Sequence, residues 1–316
     1  MLENREEVSM YAPVVIFCYN RKEHLEKTIY ALEKNELANE TDVYIYADGY
    51  RGDKDKRDVE EVRSFLMSYK KTSLFKSLTI NISNVNKGLA KSIIDGVSEI
   101  IKNEGSVIVL EDDLITAPDF LVFMNESLNY YKNDESIWSV TGYTLPLKGL
   151  KELEDDVYLS YRACSWAWGT WNNRWKTVDW EVKDFTKLCR DKKMQRQLNR
   201  GGREMFKMLK NQQEGKNNSW AIRWCYAQSK QNKYTIHPKY CKVQNIGVDG
   251  TGENSLATRK YFTKIDKTPI MVKNVKPNKK ILKQFRDYYK LTLEEIWVLG
   301  WARIKRDFFN IKIINY

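Results

Sequence analysis

The sequence predicts an α/β protein with a mostly parallel central sheet flanked by helices. Three observations predict it. Short apolar, β-favouring runs alternate with amphipathic helical patterns from residue 12 to residue 131, the rhythm of right-handed βαβ units. One run, Val107-Ile108-Val109-Leu110, is apolar throughout, as a strand buried on both faces of a parallel sheet must be. Polar residues capable of chemistry close several of the runs: Asn20-Arg21, Asp48-Gly49 and Glu111-Asp112-Asp113. Ligands of open α/β sheets bind at the carboxyl ends of the strands.

Each element follows from its own pattern. Residues 12–20 give a first strand and a polar turn, and residues 21–35 a helix with Leu25, Ile29 and Leu32 on one face. Residues 42–47 form a second strand. Residues 57–70 carry Val59, Val62, Leu66 and Tyr69 at helical spacing, and residues 77–82 a third short strand. Residues 89–103 turn Ile93, Ile94, Val97 and Ile100 or Ile101 inward, ahead of the strand at 107–110. A helix over 118–131 and a strand over 137–142 follow, with a charged helical region at 183–209 and a short strand at 234–238. Asn217-Asn218-Ser219 reads as a turn opening a helix, since Asn and Ser are good N-caps. Residues 245–252 are a glycine-rich loop that either closes over a ligand or connects elements.

Composition narrows the function classes. No apolar run approaches the roughly 18–20 residues a membrane-spanning helix needs. The acidic N-terminus lacks the basic and apolar regions of a signal peptide. Five widely spaced cysteines without a CxxC pair, and only two histidines, argue for reduced thiols in a cytosol over a disulfide frame or a zinc site. The net charge of +11 sits in the tail: residues 256–316 hold 15 Lys or Arg against 5 Asp or Glu. The GxGxxG and GxxxxGK[ST] patterns are both absent.

Carboxylates clustered at 111–113 suit a hard divalent cation, Mg²⁺ or Mn²⁺, bridging to a substrate diphosphate. The alternative is a solvated acidic turn. Four of the ten tryptophans lie between 166 and 175, interleaved with small residues. That suits a loop exposing indole faces to a sugar or base, against an aromatic core cluster as the alternative.

These motifs together resemble a family. Tyr19-Asn20-Arg21, Asp48-Gly49, Asn86-Lys87-Gly88-Leu89-Ala90-Lys91-Ser92, Leu110-Glu111-Asp112-Asp113-Leu114 and Ser165-Trp166-Ala167-Trp168-Gly169-Thr170-Trp171 occur in that order. Ser219-Trp220-Ala221-Ile222-Arg223-Trp224 and Asn245-Ile246-Gly247-Val248-Asp249-Gly250 extend the series. The chain resembles bacterial GT-A fold glycosyltransferases of surface-polysaccharide synthesis, family 2-like and similar to N-acetylglucosaminyltransferase I. The resemblance covers about residues 11–255.

It implies an inverting, Mn²⁺- or Mg²⁺-dependent transferase that moves a sugar, GlcNAc or GalNAc favoured, from a UDP-sugar to a glycan or lipid-linked acceptor. By position, Arg21 would contact the diphosphate or base, Asp48 the uracil and Lys91 the diphosphate region. Asp113 would ligate the metal, with Glu111 and Asp112 on the donor sugar or ribose. Trp166, Trp168, Trp171 and Trp220 would contact acceptor or sugar. An inverting transfer needs a base for the acceptor hydroxyl. The relatives carry an aspartate where this chain has Asn218, and an amide cannot accept a proton at neutral pH. Glu214 or Asp249 as base, an engineered or impaired variant, and an altered function all stay open.

The resemblance thus divides the chain into a nucleotide-sugar-binding domain, 1–255, and a basic, aromatic helical C-terminal extension, 256–316. Basic residues with Trp, Leu and Phe on the other face suit an anchor on an anionic membrane surface, placing the protein in the cytoplasm or on the inner face of the plasma membrane. The alternative is a solvated helix capping the domain. A nucleotidyltransferase would share the acidic site but needs a glycine- and lysine-rich loop that residues 20–24 do not supply. Nucleic acid is not expected as a partner, because residues 1–255 are close to neutral.

Overall fold

The computed structural model describes residues 11–247 and 260–289. Strand β1 (Val14–Cys18) leads through helix α1 (Lys22–Glu33) to β2 (Asp42–Ala47), and α2 (Asp53–Tyr69) leads to β3 (Ser77–Ile82). Helix α3 (Leu89–Glu104) returns the chain to β4 (Ser106–Glu111). These four strands pair in parallel in the order β3-β2-β1-β4. The short β5 (Leu114–Thr116), α4 (Phe120–Tyr131), β6 (Ile137–Thr141), β7 (Val157–Ser160) and β8 (Trp168–Trp171) follow. Next come α5 (Asn172–Trp175), α6 (Phe185–Arg190), α7 (Lys192–Leu198), α8 (Met205–Gln213), α9 (Trp220–Lys230), β9 (Tyr234–Pro238), β10 (Val243–Asn245) and α10 (Lys279–Tyr288).

The main sheet has eight strands in the order β3-β2-β1-β4-β8-β6-β9-β7. Strands β8 and β7 run antiparallel to their neighbours and the other six run one way. The mostly parallel, helix-flanked α/β architecture expected from the sequence is the one observed.

Strand alternation sorts the core into two layers. Val14, Ile16, Ile108 and Leu110 face one cluster with Leu25, Ile29, Leu66 and Phe120 of α1, α2 and α4. Val15, Phe17, Val107 and Val109 face the other, with Ile93 and Val97 of α3 and Trp220 and Trp224 of α9. Burial on both faces is why β1 and β4 are apolar without interruption.

Several boundaries differ from the sequence reading for local reasons. Helix α2 starts at Asp53 because the Asp55 carboxylate accepts the Gly52 amide, 3.1 Å, and Asp53 and Asp55 suit a helix N-terminus. The charged stretch at 183–209 breaks into α6, α7 and α8. Asp191 caps α7 by accepting the Lys193 and Met194 amides at 2.7 and 3.1 Å.

The tryptophan segment requires a correction: residues 168–171 are not an exposing loop but strand β8, inserted between β4 and β6. Trp168, Trp171 and Trp220 are buried. Trp168 stacks on Trp175 at 5.6 Å and lies against Trp220 at 5.2 Å, and the Trp171 indole donates to the Leu128 carbonyl at 3.0 Å. The small residues between the rings serve strand packing: a Cβ on Gly169 would sit 3.0 Å from the Val107 carbonyl oxygen.

The described part of the tail packs on this sheet. Ile270, Ile281 and Phe285 join the first core layer, so α10 turns its apolar face to protein. The fully buried Lys242 ammonium donates to Asp119, 2.5 Å, and to the Asp266 and Thr268 carbonyls at 3.1 and 2.6 Å. Residues 256–259 and 290–316, which complete the expected extension, lie outside the described residues. Among the described residues no helix is long and apolar enough to cross a membrane.

Trp168 is 1% exposed at the centre of the indole cluster. Trp168→Ala should therefore lower the unfolding free energy by about 3–5 kcal/mol, read from urea denaturation midpoints.

Candidate functional site

The chemistry-bearing residues gather where β1, β2 and β4 end. Register puts Phe17 beside Glu111 and Cys18 beside Ala47, so the turns that leave these strands open on common ground. Burial pushes the Cys18 thiol upward, and the Asp112 and Asp48 carboxylates add to the shift, so both acids lie near it.

Arg21, at the N-cap of α1, sends one guanidinium nitrogen to both Asp112 and Asp113, the second at 2.8 Å. From the same helix the buried Thr28 hydroxyl donates to the Asp112 carbonyl at 2.9 Å and accepts the Leu114 amide at 3.0 Å. Helix α1 thus shapes the acidic turn through one side chain and neutralises part of its charge through another. On the opposite side, β10 pairs with β5, and the turn beyond it caps Asp113. The Ile246 amide donates to the Asp113 carbonyl at 2.8 Å, and the Asn245 amide approaches Asp113 Oδ1 at 3.4 Å.

Three carboxylates facing one guanidinium remain under-neutralised. Burial, followed by the neighbouring Asp113 and Asp112 charges, pushes Glu111 up to about 8. Burial raises Asp112 to about 6, although Arg21 opposes the shift. Such a cluster suits a further cation. Among the described residues, however, no group of three or more His, Cys, Asp or Glu side chains is arranged to hold a metal ion. The donor set fits an ion carried by one or two carboxylates and completed by water and substrate phosphate oxygens, the usual habit of Mg²⁺, and not an all-protein cage.

The other expected contacts fall unevenly. Asp48 is buried, and its carboxylate accepts the Gly49, Lys87 and Gly88 amides at 2.9, 2.8 and 2.8 Å. Its structural work is to tie the loop before α3 to the end of β2. It also lines a crevice of about 220 Å³ with Tyr46, Asn81, Ser83, Lys87 and Ser92. Lys91, in the first turn of α3, is largely exposed and paired with Asp95 at 2.9 Å.

Of the four tryptophans, Trp166 alone is half-buried. The β4–β8 pairing ends with Trp168 opposite Val109, and the chain before it turns to β6, where the Gly142 amide donates to the Ala167 carbonyl and the Thr141 hydroxyl to the Trp166 carbonyl, both at 2.8 Å. Ala167 adopts a positive φ of 45°, a conformation that L-residues other than Asn and Asp rarely take. This bend separates Trp166, edge-on to Tyr143 at 4.6 Å, from the buried Trp168.

Neither described candidate base is well placed to accept a proton. Asn218 is exposed and accepts from Arg223 at 3.3 Å, while Ser219 caps α9 through the Ile222 amide at 3.3 Å. Glu214 is held below the usual carboxylate range, first by its hydrogen bond to Lys216, with a 2.6 Å contact. Asp249 lies outside the described residues. The sequence reading missed Thr28, although a lone hydroxyl among Leu25, Ile29 and Leu32 on an apolar helix face was a usable signal.

No family model matches the chain, and no curated protein matches it. Solved structures do. A mannosyltransferase from Pyrobaculum calidifontis, solved with GDP-Man and Mn²⁺, is 14% identical over 43% of this chain and 36% of its own, with a TM-score of 0.33. TarS from S. aureus is 13% identical over 43% of this chain and 22% of its own, also at a TM-score of 0.33. A putative glucose-1-phosphate thymidylyltransferase from Bacillus anthracis is 16% identical over 48% of this chain and 56% of its own, at a TM-score of 0.28. The chain therefore spans about a fifth to just over half the length of these neighbours.

The raised carboxyls give a stability signature. In the folded, metal-free protein Glu111 and Asp112 keep protons that the unfolded chain has already released, so stability falls as pH rises from about 4 towards about 8. Glu111→Gln should flatten that fall above pH 6. Urea midpoints in chelator at pH 5, 6.5 and 8 measure it, and equal slopes for both proteins would contradict the assignment.

Proposed function

We propose that the protein is an inverting, metal-dependent glycosyltransferase that moves a sugar, GlcNAc or GalNAc favoured, from a UDP-sugar to a glycan or lipid-linked acceptor in bacterial surface-polysaccharide synthesis. The observation that carries the reading is the Arg21–Asp112–Asp113 cluster at the carboxyl end of β4, with Glu111 under-neutralised beside it.

The roles follow from charge. A nucleoside diphosphate leaving group gains negative charge as the glycosidic bond breaks, and a bound Mn²⁺ or Mg²⁺ supplies countercharge there. Asp113 holds that ion, with Arg21 supplying guanidinium donors to the phosphates. Glu111 and Asp112 face the donor sugar or ribose, Asp48 orients the base beside the 220 Å³ crevice, and Lys91 lies towards the diphosphate. Trp166, half-buried ahead of β8, offers an aromatic edge to the sugar. We place the protein in the cytoplasm or on the inner face of the plasma membrane, its basic tail towards anionic lipid.

The acceptor base is the weak point, and it favours a second reading, a binding relative impaired in turnover. Asn218 cannot take a proton, and Glu214 is ion-paired to Lys216 and Lys210. Asn218→Asp should raise transfer by orders of magnitude if this position is the missing base, and an unchanged rate would remove it from consideration.

Calorimetry with UDP tests the main reading. Binding should require Mn²⁺ or Mg²⁺, and Asp113→Asn should weaken it at least about tenfold, the loss of one charged ligand. Metal-independent UDP binding by the wild type would contradict the assignment.

A further inference from the structure

Arg21 does more than border the acids: it occupies them. One guanidinium nitrogen reaches both Asp112 and Asp113, while Nη1 is buried and finds no hydrogen-bond partner among the described residues. Gly247 closes the space from above. A Cβ there would fall 2.1 Å from Asp113 Oδ2 and 2.9 Å from Arg21 Nη1, so the turn after β10 packs backbone directly onto the ion pair. The same turn fixes the Asp113 backbone through the Ile246 amide on the Asp113 carbonyl, and its own shape through the Gly247 amide donating to Asn245 Oδ1 at 2.8 Å. Asp113 Oδ2 therefore faces a cation on one side and a glycine on the other. Among the described residues its second oxygen meets only the long 3.4 Å contact from the Asn245 side chain.

We propose that Arg21 is the resident cation of this carboxylate pair, and that a divalent ion reaches Asp113 by displacing it. A divalent ion on either Asp113 oxygen would lie within a few ångströms of the guanidinium held on Oδ2 at 2.8 Å, and the two positive charges repel, so the ion and Arg21 compete for the same carboxylate. Displacement leaves Arg21 with a free planar fork, including the unpartnered Nη1, suited to two phosphate oxygens. Without a nucleoside diphosphate, Arg21 displaced by a metal ion would have nothing to receive it. With the diphosphate bound, Arg21 would pass from carboxylate to phosphate. Arg21 is a positioning residue that makes metal binding depend on the nucleotide. The backbone of Ile246 and Gly247 is the stop that keeps Asp113 in place during the exchange.

The inference rests on the metal-dependent reading above, and the experiment separates the two. Mn²⁺ affinity is measured from the free-ion EPR signal of the full chain, without nucleotide and with UDP. Arg21→Ala and Arg21→Gln should each bind nucleotide-free Mn²⁺ about tenfold tighter than wild type, because a competing unit charge is gone. Arg21→Gln keeps amide donors to both carboxylates and guards against misfolding. With UDP present the advantage should vanish or reverse. Lys22→Gln, which removes the neighbouring charge paired with Glu26, should shift nucleotide-free affinity less than about twofold if the effect is local and not the protein's general field. Unchanged or weaker nucleotide-free binding in both Arg21 variants overturns the displacement alone, provided wild type binds Mn²⁺ with UDP. An equal gain in Lys22→Gln also overturns it. No Mn²⁺ binding by any of these proteins, with or without UDP, overturns the metal-dependent reading and the inference together.

Discussion

The structure depends on keeping three adjacent carboxylates at the end of a strand whose centre, Val107–Leu110, is wholly apolar. Val107, Ile108, Val109 and Leu110 are fully buried, so the next residues leave the sheet from a poorly solvated position. Placing charge there is expensive unless something cationic or hydrogen-bonding meets it. Helix α1 provides both, through Arg21 on the side chains and Thr28 on the backbone of the turn. The opposite flank comes from far along the chain, where β10 pairs with β5 and brings Asn245 and Gly247 against Asp113. What remains uncompensated appears as the raised Glu111 and Asp112 carboxyls.

The insertion of β8 has a similar double consequence. By running antiparallel between β4 and β6 it joins the four-stranded parallel half of the sheet to the second half. Its two tryptophans enter opposite core layers, Trp168 with the α3 and α9 side and Trp171 with the α4 side. Trp166 precedes the positive-φ residue Ala167, outside the strand's alternation, and stays half-buried edge-on to Tyr143. A segment rich in one residue type thus divides into core and rim according to backbone conformation.

Much of this was legible in the sequence, because the signals were local. Strands β2, β3 and β9 fall where period and composition put them, and helices α1, α3 and α4 begin and end within two residues of the spans read from their apolar faces. The acidic triplet's place at the end of β4 was equally readable. What was not legible depends on tertiary partners. Trp-Gly-Thr-Trp carries no more strand signal than loop signal until β4 and β6 flank it. Three-residue strands such as β5 and β10 have no periodicity to detect. The three amides that Asp48 accepts could not be read either, because they come from its own turn and a loop some forty residues away.

The basic tail shows the same limit from the other direction. Helix α10 has the alternation of cationic and apolar residues that suits a lipid surface, yet Ile281 and Phe285 are buried in the core beside β7. Amphipathicity states that a helix needs an apolar partner and does not name the partner. Here Lys242 helps to decide it. Its buried ammonium is satisfied by Asp119 together with two carbonyls at 266 and 268, which draws the returning chain onto the sheet before α10 begins. Lys242 is also the residue just before β10, the strand whose far end caps Asp113. One short segment therefore docks the tail at one end and fixes the Asp113 backbone at the other. The three residues of β10 join the two contacts.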